Sequence, residues 1–323
     1  MRVIQIEGGS GPAEALTLAQ RPDPVAGPGQ VRIRVHAAGV NRPDLLQRQG
    51  RYPAPPGASD ILGLEVAGVI DQMGEGAGRW AIGDRVCALL GGGGYADHAV
   101  VDARHLLPLP DDLDFVQAAA IPETLFTVFA NVFEAGALQA GETLLIHGAT
   151  SGIGATAIQM ARAAGARVIA TSRGPEKTAA ALALGADISL DATADDLAAR
   201  IAEAGGVDVV LDMVGADYAE LNLKALNPMG RWVVIATLSG GLAKVDLGRL
   251  MMKRIVLTGS TLRARPADEK ARLARAVEDV AWPWVVSGAV RPPVEATFPL
   301  DQAAAAHRHL EAGQHVGKIV LTL

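Results

Sequence analysis

Three closely spaced glycines would let the backbone approach a phosphate group. Gly148, Gly152 and Gly154 follow the apolar run at 143–147 and precede a helix-like stretch. A glycine has no Cβ to hold a ligand away, and a helix N-terminus presents free N–H groups and the positive end of its dipole. Ordinary strand–helix turns can look similar, but the place of this turn at the start of a strand–helix series favours dinucleotide binding. We therefore predict dinucleotide contacts from Thr150, Ser151, Gly152, Ile153 and Gly154.

The end of the next predicted strand indicates which dinucleotide binds. Sites for NAD usually place Asp or Glu about 20 residues beyond the first glycine, where the carboxylate bonds the ribose 2′-hydroxyl. The segment at 170–174 (ATSRG) contains no acid. Ser172, Arg173 and Lys177 offer a hydroxyl and two cations that would suit a 2′-phosphate. The alternative is a solvated loop with two ordinary basic residues. NADPH is the favoured cofactor.

The glycine turn belongs to a region in which strand-like and helix-like segments alternate. Strands are predicted at 143–147, 168–170, 188–190, 207–212, 231–236 and 255–259, and helices at 153–164 and 175–184. The runs Val209–Leu211 and Trp232–Ile235 are apolar on both faces, as a parallel sheet covered by helices requires. The alternation predicts an α/β domain with a doubly wound parallel sheet, the Rossmann arrangement.

The residues up to about Pro122 show a different pattern of predicted elements. Short β-like runs such as Val31–Val35 and Arg85–Leu90 are separated by turns rich in glycine and proline, which predicts a β-rich, barrel-like domain. Near the end of the sequence, a helical stretch at 269–280 and a strand-like run at 317–321 are too few elements for a domain of their own. We therefore expect a first domain at 1–122, a dinucleotide-binding domain at 123–260, and a return to the first domain at 261–323.

Composition limits the classes of function. Of the 323 residues, 50% are apolar and 20% are charged, and the net charge of −6 argues against a nucleic-acid or anionic-membrane partner. The single cysteine, Cys87, excludes a disulfide framework and any multi-cysteine metal site within one chain. The most apolar stretch, 118–138, is interrupted by Pro122 and Glu123, so no membrane span is predicted. We expect a cytosolic protein.

Short-chain dehydrogenases also carry a Gly-x-x-x-Gly-x-Gly turn, and they are the competing family. Their turn lies near the chain start, whereas about 140 residues precede it here. They also need Tyr-x-x-x-Lys, and none of Tyr52, Tyr95 and Tyr218 has Lys four residues later. The sequence therefore argues against that family.

Several segments resemble the medium-chain dehydrogenase/reductase superfamily. They are 38–44 (AGVNRPD), 63–69 (GLEVAGV), 83–86 (GDRV), the turn at 148–154 (GATSGIG) and 317–320 (GKIV). The sequence is most similar to the quinone oxidoreductases, particularly the branch of the tumour-suppressor-inducible quinone reductase, through 45–52 (LLQRQGRY), 55–59 (PPGAS) and 117–123 (QAAAIPE). The resemblance implies a GroES-like catalytic domain, a Rossmann domain and a homodimer whose candidate edge strand is Arg254–Gly259.

Zinc-dependent members of the superfamily allow a comparison at three positions. Their metal-binding Cys falls at Asn41, their His falls at Leu64, and their third ligand falls at Glu123. One carboxylate cannot hold a catalytic zinc, which needs about three protein ligands. The four-cysteine structural lobe of those enzymes is absent too. The resemblance therefore implies a reductase that works without metal.

An enzyme of this kind must use an acceptor that is already reactive towards hydride. A quinone or an activated enone meets that need, and the protein then mainly positions the acceptor against the nicotinamide. The resemblance implies an NADPH:quinone oxidoreductase. Two alternatives stay open: an enoyl or alkenal double-bond reductase, and a non-catalytic NADPH-binding protein similar to the crystallin-like relatives.

The resemblance also implies roles for individual residues. Asn41, Asp44 and Tyr52 line the substrate pocket, where Asn41 bonds the nicotinamide ribose or the substrate carbonyl and Tyr52 stacks on a planar ring or donates its hydroxyl. Further cofactor contacts are implied for Thr127, Val214, Gly215, Leu238, Ser239, Gly240, Leu262 and Arg263.

Some of these residues have structural alternatives. Asp44 could only cap a helix, Tyr52 could only pack a loop, and Arg263 could pair with a carboxylate. His147 is expected to be structural. In relatives a tyrosine lies near the adenosine end of the cofactor, and here Asp191 takes its position, where a carboxylate would repel a nearby phosphate.

Overall fold

The computed structural model describes residues 1–323 and divides them into two compact units. The first comprises Met1–Phe126, Leu262–Val286 and Pro292–Leu323, and the second comprises Thr127–Thr261 and Ser287–Arg291. The segment at 287–291 thus belongs to the second unit, whereas we expected an uninterrupted return from residue 261. Two hydrogen bonds account for this placement. Gln159 Nε2 donates to the Arg291 carbonyl at 3.1 Å, and the Arg291 N–H donates to Gln159 Oε1 at 2.8 Å.

The first unit begins with short strands in two sheets. Its first seven strands are β1 (Arg2–Ile6), β2 (Leu16–Gln20), β3 (Gln30–Val40), β4 (Glu65–Met73), β5 (Arg85–Leu89), β6 (His98–Asp102) and β7 (Leu106–Pro108). The helices of this part of the chain are α1 (Arg42–Arg48), α2 (Phe115–Ala119) and α3 (Pro122–Val128), and a π-helical stretch follows at Phe129–Ala135. Strands β1 and β2 pair with each other, and the other five belong to a larger sheet.

The second unit alternates strands with helices. Its strands are β8 (Thr143–His147), β9 (Arg167–Ser172), β10 (Ile188–Asp191), β11 (Val207–Asp212), β12 (Leu226–Val234) and β13 (Val256–Gly259). Its helices are α4 (Gly152–Ala163), α5 (Pro175–Ala183), α6 (Leu197–Glu203), α7 (Ala219–Ala225) and α8 (Leu247–Lys253). All strand pairs are parallel, in the order β10-β9-β8-β11-β12-β13. This is the doubly wound order, and it confirms the predicted fold class of the second unit.

The chain then returns to complete the first unit. It adds α9 (Ala267–Val280), α10 (Trp282–Val286), β14 (Val294–Pro299), α11 (Ala303–Ala312) and β15 (Lys318–Thr322). The larger sheet of the first unit has the order β14-β15-β3-β4-β5-β7, and β6 pairs with β3. None of the helices in the chain has both the length and the apolar character needed to cross a bilayer.

Burial explains why the two sheets read differently in sequence. In β3 the side chains of Val31, Ile33 and Val35 are buried, while the residues between them are less buried because one face of the strand points outward. Every residue of β8 is buried, since helices cover both faces of a doubly wound sheet. Alternation therefore marks the first unit, and continuous apolar runs mark the second.

Candidate active site

The first unit contains a group of side chains that we call the polar cluster. Its members are Asn41, Asp44, Glu65, Glu123 and Lys318. Strand register brings three of them together. Strand β15 pairs with β3 so that Ile319 lies opposite Val40, and β4 pairs with the other edge of β3. Lys318, Asn41 and Glu65 consequently meet at one end of three adjacent strands.

Lys318 joins Asn41 and Glu65 directly. Its Nζ donates to Asn41 Oδ1 at 2.5 Å and to Glu65 Oε1 at 2.6 Å, and Asn41 Nδ2 donates to Glu65 Oε1 at 2.8 Å. The Lys318 and Glu65 side chains are 3% and 0% exposed, so each charge depends on the other. Gly39 makes room for them, because a Cβ there would lie 2.0 Å from Glu65 Oε1.

Sequence reasoning placed Asn41 in the site but missed Lys318 and Glu65 as its partners. A signal was present, because Lys318 opens a strand that is otherwise apolar and buried. A lysine in such a strand requires a buried partner. The partner itself lies 253 positions earlier in the chain and could not be identified from a local pattern.

Asp44 lies fully inside the first unit. One carboxylate oxygen accepts from the Asn41 N–H at 2.8 Å and from the Tyr95 hydroxyl at 3.1 Å, and the other accepts from the Gly63 N–H at 3.2 Å. Burial raises the pKa of Asp44 to about 6, against the opposing effect of these hydrogen bonds. Its side chain caps the first turn of α1 and offers no exposed atom to a ligand. This is the geometry of the helix-cap alternative.

Arg263 supports Tyr52 and its surroundings. The guanidinium carbon lies 5.3 Å from the centre of the Tyr52 ring, and Nη1 donates to the Tyr52 carbonyl at 3.3 Å. Nη2 donates to Gln47 Oε1 at 2.7 Å and Nε donates to the Gly91 carbonyl at 2.8 Å. Arg263 is therefore neither an exposed cation nor paired with a carboxylate, and the adjoining Leu262 is buried. The Tyr52 ring itself is partly exposed, and burial raises the pKa of its hydroxyl.

Glu123 differs from the other carboxylates of the polar cluster. It lies in the first turn of α3, where its backbone N–H donates to Glu65 Oε2 at 2.9 Å. The residue is partly exposed, and its carboxyl group makes no hydrogen bond or ion pair within the chain. Burial, followed by the negative charge of Glu65, raises the pKa of Glu123 to about 8. Sequence reasoning considered this residue only as the counterpart of a zinc ligand.

The polar cluster does not fit a zinc ion. Leu64 is a buried hydrocarbon side chain, and the oxygens of Asn41 and Glu65 already accept hydrogen bonds from the Lys318 ammonium. No three His, Cys, Asp or Glu side chains of the chain are grouped to hold a metal. Asn41, at one of the three positions compared above, and its neighbour Glu65 therefore bind an internal cation of the protein, the Lys318 ammonium.

The glycine turn of the second unit connects β8 to α4. Ser151 caps the helix: its Oγ accepts from the Gly154 N–H at 3.1 Å and donates to the Gly148 carbonyl at 2.8 Å. Gly154 must be a glycine, because a Cβ there would lie 2.5 Å from the Gly148 carbonyl oxygen. The cap uses the Gly154 N–H and leaves the Gly152 and Ile153 N–H groups, at the start of this twelve-residue helix, available to an anion. Thr150 is buried in the turn, and Gly152 and Ile153 are partly exposed.

The residues expected to recognise a 2′-phosphate lie at the end of β9 and the start of α5. The Ser172 hydroxyl is buried and has no hydrogen-bond partner, and the Arg173 guanidinium is exposed and makes no hydrogen bond or ion pair. Lys177 lies in the first turns of α5 and is partly exposed. The Asp191 carboxylate accepts hydrogen bonds from the Gly174 N–H at 3.3 Å and from the Thr193 N–H at 2.9 Å.

Two loops at the carboxyl ends of β11 and β12 are joined by backbone hydrogen bonds. The Ser239 N–H donates to the Val214 carbonyl at 2.8 Å, the Leu238 N–H donates to the Met213 carbonyl at 3.3 Å, and Gly215 forms a β-bridge with Gly240. The structure thus brings together five of the residues for which cofactor contacts were predicted. Thr127, at the start of the second unit, is partly exposed, and its carbonyl accepts from Asn131 Nδ2 at 2.8 Å.

A buried hydrogen-bond network fixes the first of these loops. Asp212 Oδ1 accepts from the Val214 and Gly215 N–H groups at 2.7 and 3.0 Å, and Oδ2 accepts from Asn222 Nδ2 at 3.0 Å. His147 lies 2.7 Å from Asn222 Oδ1 through Nε2, and burial lowers the pKa of its ring. His147 is fully buried and holds the network, as expected of a structural residue.

Comparison with protein-family models matches both units. Residues 27–111 match the alcohol dehydrogenase GroES-like domain, and residues 152–279 match the zinc-binding dehydrogenase family. Among characterised relatives, a quinone oxidoreductase of Pseudomonas aeruginosa is 36% identical over 300 residues, which are 91% of each chain. The spectinabilin polyketide synthase system protein NorB of Streptomyces orinoci is 36% identical over 323 residues, 98% of this chain. This chain spans only 14% of the length of NorB.

Solved structures give the same result for the fold. Escherichia coli quinone oxidoreductase complexed with NADPH matches with a TM-score of 0.89 and 28% identity over 100% of both chains. The CurK enoyl reductase matches with a TM-score of 0.87 and 26% identity over 99% of this chain and 98% of that chain. The GroES-like and Rossmann domains are thereby confirmed. With Leu64 and Asn41 at the positions of two zinc ligands, the chain belongs to the zinc-free quinone oxidoreductase family of the medium-chain dehydrogenases/reductases.

Proposed function

We propose that this oxidoreductase transfers hydride from NADPH to a quinone or a similar conjugated carbonyl compound without using a metal. The observation that carries the proposal is the pairing of two features: a glycine turn whose cap leaves the first two N–H groups of α4 available, and an exposed Arg173 without a hydrogen bond or ion pair in the chain. A bound dinucleotide phosphate would supply the negative charge that both features favour. The quinone oxidoreductase relatives support the acceptor class.

The second unit would hold the cofactor, which supplies a hydride when it is bound. The turn at 150–154 would bind the pyrophosphate, while Ser172, Arg173 and Lys177 would bind the 2′-phosphate. Ser172 favours this role because its buried hydroxyl lacks a partner, and a buried polar group without one is costly. The backbone of the loops containing Val214–Gly215 and Leu238–Gly240 would lie against the nicotinamide ribose.

The first unit would bind the acceptor. Tyr52 presents a partly exposed ring that is fixed by Arg263 and is suited to a planar substrate. Asn41 would hydrogen-bond the ribose or the acceptor carbonyl from a position fixed by Lys318 and Asp44. Asp44, being buried, would position Asn41 and would not contact the acceptor.

The test compares two acceptors and two cofactors with the purified protein. We expect faster oxidation of NADPH than of NADH, and higher kcat/KM with 1,4-naphthoquinone than with 2-alkenals. Higher kcat/KM with the alkenals would refute quinones as the preferred acceptor. Tight NADPH binding with no turnover on either acceptor would instead favour a non-catalytic NADPH-binding protein.

A double-bond reductase is the second candidate, because two relatives point to it. CurK is an enoyl reductase, and NorB belongs to a polyketide synthase system. The same hydride donor would serve, and the hydride would go to the carbon–carbon double bond conjugated to a carbonyl group. The acceptor comparison above distinguishes the two reactions.

We also propose that the protein is a homodimer. Strand β13 is the last strand of its sheet, and it exposes Val256 and Leu257, which are 52% and 41% exposed. Helix α8 adds exposed Met251 and Met252. An edge strand with exposed apolar side chains is a template for pairing with a second copy. Light scattering should give twice the mass of the chain, and the double variant V256R/L257E should give the mass of one chain.

A further inference from the structure

Glu123 has the only carboxyl group of the polar cluster that has no hydrogen-bond partner. Asp44 accepts three hydrogen bonds, and Glu65 accepts from Lys318, from Asn41 and from the Glu123 backbone. The Glu123 carboxyl is held near these groups because its own backbone N–H is anchored on Glu65. It is partly exposed, so a small molecule bound to the first unit could reach it.

Burial is the main reason why Glu123 favours its protonated form, and the charges around it act in both directions. Glu65 and Asp44 repel a negative charge there, while Lys318 and Arg263 attract one. Lys318 already donates to Glu65 and Asn41, and Arg263 already donates to three other oxygens, so neither forms an ion pair with Glu123. The charge of Glu123 in turn acts to raise the pKa values of Tyr52 and Lys270. With a pKa of about 8, Glu123 retains its proton at neutral pH.

Tyr52, whose charge interacts with that of Glu123, is an alternative source of a proton. Burial raises the pKa of its hydroxyl above the ordinary value of 10, so it gives up a proton less readily than Glu123 does. Its hydroxyl, like the Glu123 carboxyl, has no partner within the chain. The two groups therefore suit different tasks, Tyr52 as a hydrogen-bond donor and Glu123 as an acid with a pKa near the working pH.

We propose that Glu123 is the general acid that protonates the acceptor oxygen as the acceptor is reduced. This inference rests on the proposed function. Bound NADPH would supply a hydride with its electron pair to one carbonyl oxygen of the quinone and would thereby be oxidised. The quinone would then carry a negative charge on its other oxygen, and that oxygen takes one proton to give the hydroquinone. The O–H bond of Glu123 breaks while an O–H bond forms on the acceptor, and Glu123 is left as a carboxylate. It regains a proton from water before the next turnover.

The test uses three variants of the complete chain. Glu123→Gln removes the acidic proton while keeping the shape of the side chain, and Glu123→Asp keeps a carboxylic acid. Glu203→Gln is a control at an exposed glutamate of α6. We expect Glu123→Gln to lower kcat for 1,4-naphthoquinone about 100-fold. The NADPH dissociation constant should be unchanged, Glu123→Asp should restore much of kcat, and Glu203→Gln should match the wild type.

The pH profile provides the readout that a merely structural role would not change. Wild-type kcat should fall as the pH rises through about 8, because the acid loses its proton, and Glu123→Gln should lack this fall. Wild-type kcat and an unchanged alkaline fall in Glu123→Gln would overturn the proposal. Parallel loss of NADPH binding or folding in that variant would also overturn it. Absence of any wild-type turnover would instead refute the proposed function on which it rests.

Discussion

The polar cluster of the first unit and the glycine turn of the second are built in opposite ways. The turn spans seven residues, and its hydrogen bonds link positions three apart. The polar cluster joins Lys318 to Asn41 across 277 positions, and its side chains come from two strands, two helices and the N-cap of α1. A binding site for a common cofactor can be made from local backbone geometry. The polar cluster, where we propose that the acceptor binds, instead depends on long-range pairing.

This comparison predicts that a substitution in the polar cluster lowers the free energy of unfolding more than a substitution in the glycine turn does. Lys318→Met should lower the free energy of unfolding by about 3–5 kcal/mol, because it leaves Glu65 buried without its cation. The double variant K318M/E65Q should recover much of that loss, since it removes the unpaired charge. Denaturant unfolding followed by tryptophan fluorescence measures both. A loss of under about 1 kcal/mol in K318M would show that the pair is not essential.

At the glycine turn, NADPH affinity and stability should depend on the volume of the side chains and not on their charge. Gly154→Ala places a Cβ against the Gly148 carbonyl, so the start of α4 must shift. We expect NADPH affinity to fall at least about tenfold, with a stability loss of roughly 1–3 kcal/mol. Gly248→Ala in α8 is the control, because a Cβ there would meet only the side chain of Asp246, at 3.2 Å, and it should leave NADPH affinity unchanged. Isothermal titration measures the affinity, and equal affinity in both variants would contradict the proposed site.

Charge should matter at the 2′-phosphate and not at the turn. Arg173→Ala and Lys177→Ala should each weaken NADPH binding roughly tenfold, the order expected for a lost charge-assisted hydrogen bond, and should leave NADH binding nearly unchanged. Arg200→Ala, at an exposed arginine of α6, serves as the control. Equal weakening of both cofactors would refute NADPH preference. The ratio of the two dissociation constants is the quantity to measure.

The smallest effect should come from removing one hydroxyl at the edge of the polar cluster. Tyr52→Phe keeps the ring that packs on Arg263 and loses only a donor, so KM for 1,4-naphthoquinone should rise a few-fold. Stability should not change, because the hydroxyl has no partner in the chain. Tyr52→Ala should raise KM further through loss of the ring. Identical KM values in the Phe variant and the wild type would show that the hydroxyl does not bind the acceptor and that only the ring contacts it.

The same contrast explains what could be predicted from sequence. Periodicity predicted the six parallel strands, and local spacing predicted the turn at 148–154, because both are properties of neighbouring residues. The partners of Asn41 and the free carboxyl of Glu123 could not be predicted, since strand register and burial decide them. The placement of Ser287–Arg291 depends on the side chain of Gln159 and likewise left no local pattern.

The position of Lys318 on the last strand has a consequence for biosynthesis. During translation, Asn41 and Glu65 emerge well before their cation, and the whole second unit is made in between. At roughly 5–20 residues per second, the wait lasts on the order of tens of seconds. The ribosome-bound chain can thus complete its Rossmann fold first, while the earlier segment needs protection from aggregation until β15 arrives.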